Sequence, residues 1–325
     1  MSRIFVTRRL ANEALDLLAG VLEVEVWPGD AAPPRDVMER EAKICVALLT
    51  TVEDRIDEAL LDIGLGQLCV VANCAVGFDN FDIPAATSRG VALSNTPGVL
   101  TKTTADLTFA LLLATARKVT LADRDVRAGR WKNWQPFGYA GPDVNGATLG
   151  IIGLGQIGLE MAKRARGFDM TVYYYDPVRR REVEGEYGLV FLPDIPSVLK
   201  MADFVSLHTP LTAETHHIIG DEYLQMMQPK AMLINASRGG IVDHEALYRA
   251  LRDGVIAGAG LDVTEPEPLP PSHPLLGLSN VVVTPHIGSA SLETRRQMAL
   301  LAAQNILARL KGATMPTCLN PEVLG

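Results

Sequence analysis

Three ionisable side chains follow apolar, strand-like segments in the second half of this chain, in the order arginine, glutamate, histidine. Arg238 lies in LINASRGG, Glu267 in GLDVTEPEP and His286 in VVVTPHIGS. Because ligands of open α/β sheets bind outside the carboxyl ends of the strands, we expect all three to face one crevice. A carboxylate favours the protonated form of a neighbouring imidazole, which makes it a proton donor, and a guanidinium can clamp a carboxylate. Carbonyl reduction by hydride needs both an acid and an anion clamp.

The residues alone leave some of these assignments open. Glu265 stands two residues before Glu267 and is a rival for the role of carboxylate partner. His208 also follows an apolar strand and is predicted to line a cofactor groove. The histidines that lack the setting of His286 are His216, His217, His244 and His273.

A glycine-rich turn earlier in the chain predicts a dinucleotide site. The segment ATLGIIGLGQIG places Gly153, Gly155 and Gly158 in the G-x-G-x-x-G spacing, after an apolar strand and before an amphipathic helix. The first glycine permits the tight turn, the second lets the backbone approach a pyrophosphate, and the third lets the helix pack close to the strand. The helix N-terminus adds N–H groups and a partial positive charge for the anion.

An acidic residue follows the glycine loop at the distance expected for a ribose contact. The predicted strand TVYYYD ends at Asp176, eighteen residues after Gly158. An acid here hydrogen-bonds the ribose hydroxyls of NAD and repels the 2′-phosphate of NADP. The alternative is an ordinary turn aspartate before Pro177. Arginines at 179–181 follow closely and could reach a phosphate, so NAD is favoured and NADP remains possible.

The alternation of apolar and helical segments predicts two α/β domains, as the length of 325 residues also suggests, since single cores stop growing at about 250–300 residues. Short apolar segments predict strands at 3–7, 21–27, 44–50, 69–74 and 91–94. A second set predicts strands near 148–152, 171–175, 204–207, 231–235, 258–263 and 281–284. Helical stretches between most of them favour parallel sheets covered on both faces.

Two long predicted helices, at 101–127 and 292–310, lie at the junctions between these sets. They suggest that the chain leaves its first domain, builds the second and returns. We therefore predict an α/β fold with two doubly wound parallel-sheet domains. A Rossmann cofactor domain, residues 101–287, is inserted in a flavodoxin-like substrate domain formed by residues 1–100 and 288–325.

Composition and charge exclude several classes of protein. Hydrophobic residues make up 48% and charged residues 21%, which is a globular composition, and the net charge of −8 argues against a nucleic-acid partner. The apolar run LTFALLLATA is about half a membrane span, and the N-terminal MSRIFVTRRL lacks a signal-peptide core. The four cysteines lack the spacing of a zinc site or a disulfide framework. We expect a cytoplasmic protein with no membrane segment and no metal.

Five stretches of the chain carry a family resemblance: VANCAVGFDNFD, GLGQIG, LINASRGGIVD, AGAGLDVTEPEPLP and NVVVTPHIGSAS. With them the chain resembles the D-2-hydroxyacid dehydrogenases over essentially its full length, and most of all the glyoxylate/hydroxypyruvate reductases. The resemblance implies NAD(P)-dependent reduction of a small 2-oxo acid. It also implies that Arg238 binds this acid, that His286 donates or accepts the proton, and that Glu267 pairs with the histidine.

The resemblance implies further binding residues. Val76 and Gly77 match a loop whose backbone N–H groups hold the substrate carboxylate, and Asp262 matches a residue that contacts the nicotinamide amide. The other cofactor contacts that it implies are Thr104, Gln156, Ile157, His208, Pro210, Ala236, Ser237 and Gly288.

Two other functions share parts of this pattern. Phosphite dehydrogenases carry sequences much like GFDNFD and WQP, but they have a lysine where this chain has Val76, so a cation for the phosphite dianion is missing. A non-enzymatic, NAD-sensing binding protein is the second alternative, and the intact arginine, glutamate and histidine argue against it. The chain ends soon after the last predicted helix, so we expect no regulatory extension like that of long phosphoglycerate dehydrogenases.

An aromatic loop after the first long helix predicts an oligomer. Trp131, Trp134, Phe137 and Tyr139 occur within nine residues, and large apolar patches usually mark an interface. The alternative is that the loop folds back on its own domain. Members of the resembling family form two-fold dimers through this region, which implies a homodimer in which Trp134 reaches the partner's substrate pocket.

Overall fold

The computed structural model describes residues 2–324, which form two compact units. The first unit comprises the residues up to Leu100 together with those from Ser289 onward, and the second comprises Thr101–Gly288. Each unit is built on one sheet in which every strand pair is parallel. The predicted α/β fold with two parallel sheets and flanking helices is confirmed.

Strands and helices alternate strictly in the first unit. Its elements are β1 (Arg3–Val6), α1 (Asn12–Ala19), β2 (Glu23–Val26), α2 (Arg35–Ile44), β3 (Ala47–Thr50), α3 (Glu58–Ile63), β4 (Val70–Asn73), α4 (Ile83–Ser88) and β5 (Ala92–Ser94). The sheet order is β2-β1-β3-β4-β5. Every residue of β3 and β4 is buried, as expected for central strands covered on both faces.

The second unit contains a larger sheet. Its elements are α5 (Thr101–Ala116), α6 (Val119–Arg127), β6 (Thr148–Ile152), α7 (Gln156–Arg166), β7 (Thr171–Tyr175), α8 (Arg181–Tyr187), β8 (Leu189–Phe191), α9 (Ile195–Met201), β9 (Phe204–Leu207), α10 (Asp221–Met226), β10 (Met232–Asn235), α11 (His244–Arg252), β11 (Gly258–Leu261) and β12 (Val281–Val283). The chain then returns to the first unit in α12 (Leu292–Leu310), which contacts α1 and β4.

The strand order of the second unit defines where a ligand can bind. The order is β12-β11-β10-β9-β6-β7-β8, so the chain proceeds from β6 in one direction and later resumes on the other side of it. The loops that leave β6 and β9 therefore diverge, and the crevice between them is the topological switch point at which open α/β sheets bind ligands. The glycine loop follows β6 directly.

The single long helix predicted over residues 101–127 is wrong, because the structure has two helices there, α5 and α6. The break lies at Lys118, whose φ of 52° is in the left-handed region that ends a helix. The chain at Gly141 also crosses the end of α5, so closely that a Cβ there would lie 1.9 Å from the Ala116 carbonyl oxygen. Helical periodicity continues through this point, which is why the pattern did not reveal the break.

Two further features complete the fold. The short edge strand β8 was not predicted, since three residues carry too little periodicity to be recognised. None of the helices in residues 2–324 combines the length and the apolar composition that crossing a bilayer would require.

Candidate active site

The three glycines of the G-x-G-x-x-G loop occupy three different environments. Gly153 has a φ of 93°, and a Cβ there would lie 2.8 Å from the His208 carbonyl carbon. Gly155 caps α7 and faces open space, with no atom within 4 Å of a Cβ placed on it. A Cβ on Gly158 would lie 2.3 Å from the Gly153 carbonyl oxygen. The turn, the open approach and the close packing that a pyrophosphate site needs are all present, so this loop can hold a dinucleotide.

Asp176 is tied to the glycine loop. Its Oδ2 accepts a 2.8 Å hydrogen bond from the Leu154 N–H, and its Oδ1 accepts one of 2.9 Å from the Val178 N–H. These bonds fix the carboxylate at the end of β7, next to the loop that can hold the pyrophosphate. Each carboxylate oxygen has a second lone pair, so the group can still accept from a ribose hydroxyl.

The three arginines behind Asp176 differ in what they contact. Arg179 makes two 2.7 Å hydrogen bonds to the two carboxylate oxygens of Glu184. Arg180 pairs with Glu182, donates to the Leu154 carbonyl oxygen at 3.1 Å and lies within electrostatic reach of Asp176. Because Arg180 is bonded to the glycine loop and lies near Asp176, its position bears on the choice between NAD and NADP, which the sequence left open.

The central pair of the site is His286 and Glu267. His286 Nδ1 lies 2.5 Å from Glu267 Oε1, and Glu267 Oε2 accepts a 3.2 Å hydrogen bond from the Thr264 N–H. Burial raises the pKa of Glu267, but the hydrogen bond from His286, its charge and the Thr264 N–H outweigh burial and hold it below its usual value. The rival Glu265 is instead paired with His216 and His217.

This pairing determines which imidazole nitrogen can exchange a proton. An ionised carboxylate only accepts hydrogen bonds, so Nδ1 of His286 must carry the hydrogen that Glu267 receives. The other nitrogen, Nε2, is then the one that gains or loses a proton. The side chains of His286 and Glu267 are 31% and 35% exposed, so the pair is open to a ligand.

Asp262, at the end of β11, organises the loop that carries His286. Asp262 is 1% exposed, and its carboxylate accepts from Thr284 Oγ1 at 2.7 Å, the Ile287 N–H at 2.9 Å and the Gly288 N–H at 2.7 Å. Its carbonyl oxygen accepts from the His286 N–H at 2.8 Å. Burial raises the pKa of Asp262, and these hydrogen bonds oppose the rise. Sequence reasoning missed this role, because a buried aspartate after a strand does not reveal its partners.

Arg238 follows β10 and lies beside the loop of Glu267. The charge of Arg238 contributes to the lowered pKa of Glu267, and its carbonyl oxygen accepts a 2.8 Å hydrogen bond from Asn235 Nδ2. The next residue, Gly239, packs so tightly that a Cβ would lie 2.0 Å from the Thr264 carbonyl oxygen. The glycine after the arginine thus allows the two loops to touch backbone to backbone.

The other residues expected to contact a cofactor lie along the same edge of the sheet. His208 Nε2 lies 2.8 Å from Ser206 Oγ, and burial lowers its pKa to about 4, so the ring is neutral at pH 7. A Cβ on Gly288 would lie 3.2 Å from Thr104 Cγ2, which puts α5 against the end of the His286 loop. The remaining ones follow β6, β9 or β10 and are Gln156, Ile157, Pro210, Ala236 and Ser237.

Val76 and Gly77 lie in the first unit, after β4, where two asparagines hold their carbonyl groups. Asn95 Nδ2 donates to the Val76 oxygen at 2.7 Å, and Asn73 Nδ2 donates to the Gly77 oxygen at 2.9 Å. Because a trans peptide points its N–H away from its carbonyl, these bonds direct the N–H groups of Gly77 and Phe78 away from the asparagines. The loop can therefore offer backbone donors to an anion, and sequence reasoning did not identify the asparagines that orient it.

The aromatic loop that follows α6 is exposed in the single chain. Trp134 is 79% exposed, Phe137 90% and Trp131 58%. Tyr139 is anchored through its hydroxyl, which donates to Asp125 Oδ2 at 2.8 Å. The loop does not bury these rings against its own unit.

Comparisons with known proteins identify the family. Residues 109–288 match the family model described as D-isomer specific 2-hydroxyacid dehydrogenase, NAD binding domain. The glyoxylate reductase of Korarchaeum cryptofilum is 49% identical over 323 residues, which cover 99% of this chain and 97% of that protein. The glyoxylate reductase of Thermococcus litoralis is 47% identical over 326 residues, covering 99% and 98%.

Solved structures agree with the sequence relatives. A protein from Thermus thermophilus superposes with a TM-score of 0.92 at 48% identity, covering 98% of this chain and 99% of that one. The NADPH-dependent glyoxylate/hydroxypyruvate reductase of Sinorhizobium meliloti, solved with NADP and malonate, gives 0.84 at 32% identity, covering 99% and 97%. On these matches and the geometry above, the chain belongs to the D-isomer specific 2-hydroxyacid dehydrogenases and is an NAD(P)-dependent oxidoreductase.

Proposed function

We propose that this enzyme reduces glyoxylate and closely related small 2-oxo acids, such as hydroxypyruvate, to the 2-hydroxy acids with NAD(P)H. The main support is the His286–Glu267 pair. His286 is the proton donor, and Glu267, by binding Nδ1, leaves Nε2 as the nitrogen that exchanges the proton. The relatives named glyoxylate reductase, at 44–49% identity over 99% of the chain, support this substrate class.

Each catalytic residue has a defined task in this reaction. NADH, when bound, supplies the hydride that reduces the carbonyl carbon. Nε2 of His286 protonates the carbonyl oxygen, and Glu267 stabilises the imidazolium from the side of Nδ1. Arg238 holds the 2-oxo acid through its guanidinium, which matches a carboxylate and a carbonyl oxygen in geometry as well as charge.

Each unit, taken by itself, carries its own proposed binding residues. In the first unit, the loop of Val76 and Gly77 is proposed to bind a carboxylate through the N–H groups of Gly77 and Phe78, which Asn95 and Asn73 orient. The second holds the cofactor, with the pyrophosphate on the Gly153–Gly158 loop, the ribose on Asp176 and the nicotinamide near Asp262. The same cofactor surface includes Thr104, Gln156, Ile157, His208, Pro210, Ala236, Ser237 and Gly288.

The two alternative functions are not favoured. Position 76 is a valine and not the lysine of phosphite dehydrogenases, which argues against phosphite oxidation. The relatives that match over the whole chain are named as glyoxylate reductases. A purely NAD-sensing protein would have no need for the His286–Glu267 pair. A parallel assay with NAD and phosphite addresses the first alternative directly.

We also propose a homodimer and a cytoplasmic location. The exposed aromatic loop supports the dimer, because three rings more than half exposed form an apolar surface of the kind that subunits cover. In this dimer Trp134 completes the substrate pocket of the partner subunit. The location is supported by four cysteines that are all unpaired, as is usual for proteins in a reducing compartment.

The first prediction concerns the catalytic pair. Turnover is measured as the decrease in NADH absorbance after glyoxylate is added. His286→Ala should lower kcat by roughly 10²–10⁴, the usual contribution of a general acid, while NADH binding measured by fluorescence is retained. Glu267→Gln removes the negative charge beside Nδ1, so the alkaline limb of the pH–rate profile should move to lower pH. The matched change Glu265→Gln should leave the profile in place. Turnover close to that of the wild type in His286→Ala would remove this histidine from the mechanism.

The cofactor site makes the second prediction. Asp176→Asn keeps an oxygen for the Leu154 N–H but removes the charge. The preference for NADH over NADPH should therefore fall by roughly fivefold or more, since like charges about 4 Å apart repel by about 1 kcal/mol even in water. Arg179→Ala is the matched control, because Arg179 is held by Glu184, and it should leave the ratio unchanged. Steady-state kinetics with both cofactors measure the effect. If the wild type prefers NADPH and the Arg180→Ala variant does not, the assignment of NAD as the preferred cofactor is reversed.

The dimer makes the third prediction. Light scattering should give about twice the chain mass of 35.1 kDa. Trp134→Ala should raise KM for glyoxylate about tenfold, which corresponds to the loss of about 1–2 kcal/mol typical of an interface tryptophan. Trp131→Ala, a neighbour on the same loop, should change KM much less. A monomer that is fully active at nanomolar concentration would contradict the proposal, because no partner would supply the tryptophan.

A further inference from the structure

Two adjacent histidines and a glutamate form a second imidazole–carboxylate cluster in the second unit. His216 Nε2 lies 3.3 Å from Glu265 Oε1, and His217 Nε2 lies 2.5 Å from Glu265 Oε2. The two rings are stacked, with centroids 3.9 Å apart and planes inclined by 20°. One nitrogen from each ring and one carboxylate oxygen lie within 4.8 Å of one another. Three donor atoms of metal-ligand type therefore converge on one point near the surface.

The backbone explains why neighbouring side chains point the same way. Successive residues of an extended chain project to opposite sides, but His217 has a φ of 53°, in the left-handed region. The His217 N–H donates to the Gly240 carbonyl oxygen at 2.7 Å, and the His216 N–H donates to that of Thr212 at 3.0 Å. This conformation costs a non-glycine residue on the order of 1 kcal/mol, and it aligns the two rings.

Glu265 is held as an ionised acceptor on the other side of the cluster. Burial raises the pKa of Glu265, but the hydrogen bonds from His217 and His216 outweigh burial and keep it below its usual value. Gly240 leaves room for the carboxylate, because a Cβ there would lie 3.0 Å from Glu265 Oε1. In the tautomer with its hydrogen on Nδ1, each imidazole instead presents an Nε2 lone pair, so the two Nε2 atoms and a Glu265 oxygen can coordinate one cation together.

We propose that His216, His217 and Glu265 form a binding site for a divalent transition-metal ion of the zinc class. Two imidazoles and one carboxylate are a donor set that zinc accepts, with further positions left for water. Nitrogen donors favour Zn²⁺, Co²⁺ or Ni²⁺ over Mg²⁺ and Ca²⁺, which prefer oxygen. The sequence did not predict this site, because the ligands are two adjacent residues and a third 48 positions away.

A buried histidine lies within electrostatic reach of two residues of the cluster. His244 is 5% exposed, and the charges of Glu265 and His217 act on its pKa, which burial lowers. Its Nδ1 lies 3.0 Å from the Val242 carbonyl oxygen, so Nδ1 carries the hydrogen and Nε2 a lone pair. Among the described residues this Nε2 has no hydrogen-bond partner. Among the described residues, His244 is not one of the groups whose donor atoms lie within 4.8 Å of one another, so the proposed ligands stay His216, His217 and Glu265.

An ion at this site would join two segments that belong to the active-site loops. One segment carries the histidines and is bonded to Gly240, two residues after Arg238, and the other carries Glu265, two residues before Glu267. Binding to the folded state alone stabilises it by mass action, so Zn²⁺ should raise the Tm of the protein.

The test measures metal binding to the stripped, full-length enzyme without nucleotide or 2-oxo acid. Zn²⁺ is titrated in competition with a chromophoric chelator, and Co²⁺ serves as the spectroscopic probe. The wild type should bind one ion per chain at this site, with a rise in Tm. His216→Asn, His217→Asn and Glu265→Gln should each weaken binding by roughly tenfold or more and abolish the Tm rise. Asparagine tolerates the left-handed conformation, so the variant at 217 should fold, and its circular dichroism and NADH binding check this.

The control separates this cluster from the catalytic pair. His286→Asn disrupts another imidazole–carboxylate pair and should leave both metal affinity and the Tm rise unchanged. Absence of saturable Zn²⁺ binding by the wild type, equal binding by the three cluster variants, or loss of binding in His286→Asn would each overturn the proposal. Because no substrate is present, none of these results depends on whether the enzyme reduces glyoxylate.

Discussion

The hydrogen bond between His286 Nδ1 and Glu267 fixes both the orientation and the tautomer of the histidine that we propose as the proton donor. The two side chains come from different loops, after β12 and β11, and neither loop would hold its residue without further constraints. His286 has a left-handed φ of 53°, and Glu267 accepts a second bond from the Thr264 N–H. The pair therefore depends on backbone geometry that the surrounding residues must enforce.

Asp262 holds much of the backbone around His286 in place. By accepting from Thr284, Ile287 and Gly288, a single buried carboxylate fixes the chain on both sides of His286. A carboxylate can be kept in so buried a position because three donors satisfy it. On the other side, Gly239 lets the arginine loop touch the glutamate loop through their backbones. The parallel sheet brings these loops to one edge, and the small or acidic residues after each strand determine how closely they meet.

The sequence predicted the site residues best where a local pattern of residue types has one physical explanation. The glycine loop, the acid after β7 and the ionisable residues after the strands could be predicted because glycine spacing and strand ends are local patterns. Other features depend on contacts between distant segments, which no local pattern contains. They are the helix break at Lys118, the hydrogen bonds accepted by Asp262, and the asparagines that orient the Val76–Gly77 loop. The choice of Glu267 over Glu265 needed the family resemblance, because both carboxylates have the same local setting.

In the proposed mechanism, Glu267 holds the Nδ1 hydrogen of His286 and leaves Nε2 as the nitrogen that exchanges a proton. The most direct measurement is nitrogen NMR of the enzyme labelled with ¹⁵N-histidine, with His286 assigned by comparison with His286→Asn and followed across its pH titration. We expect Nδ1 to stay protonated throughout, only Nε2 to gain or lose a proton, and Glu267→Gln to weaken the Nδ1 hydrogen bond. A neutral His286 with its hydrogen on Nε2 and an unprotonated Nδ1 would show that Glu267 does not set the tautomer.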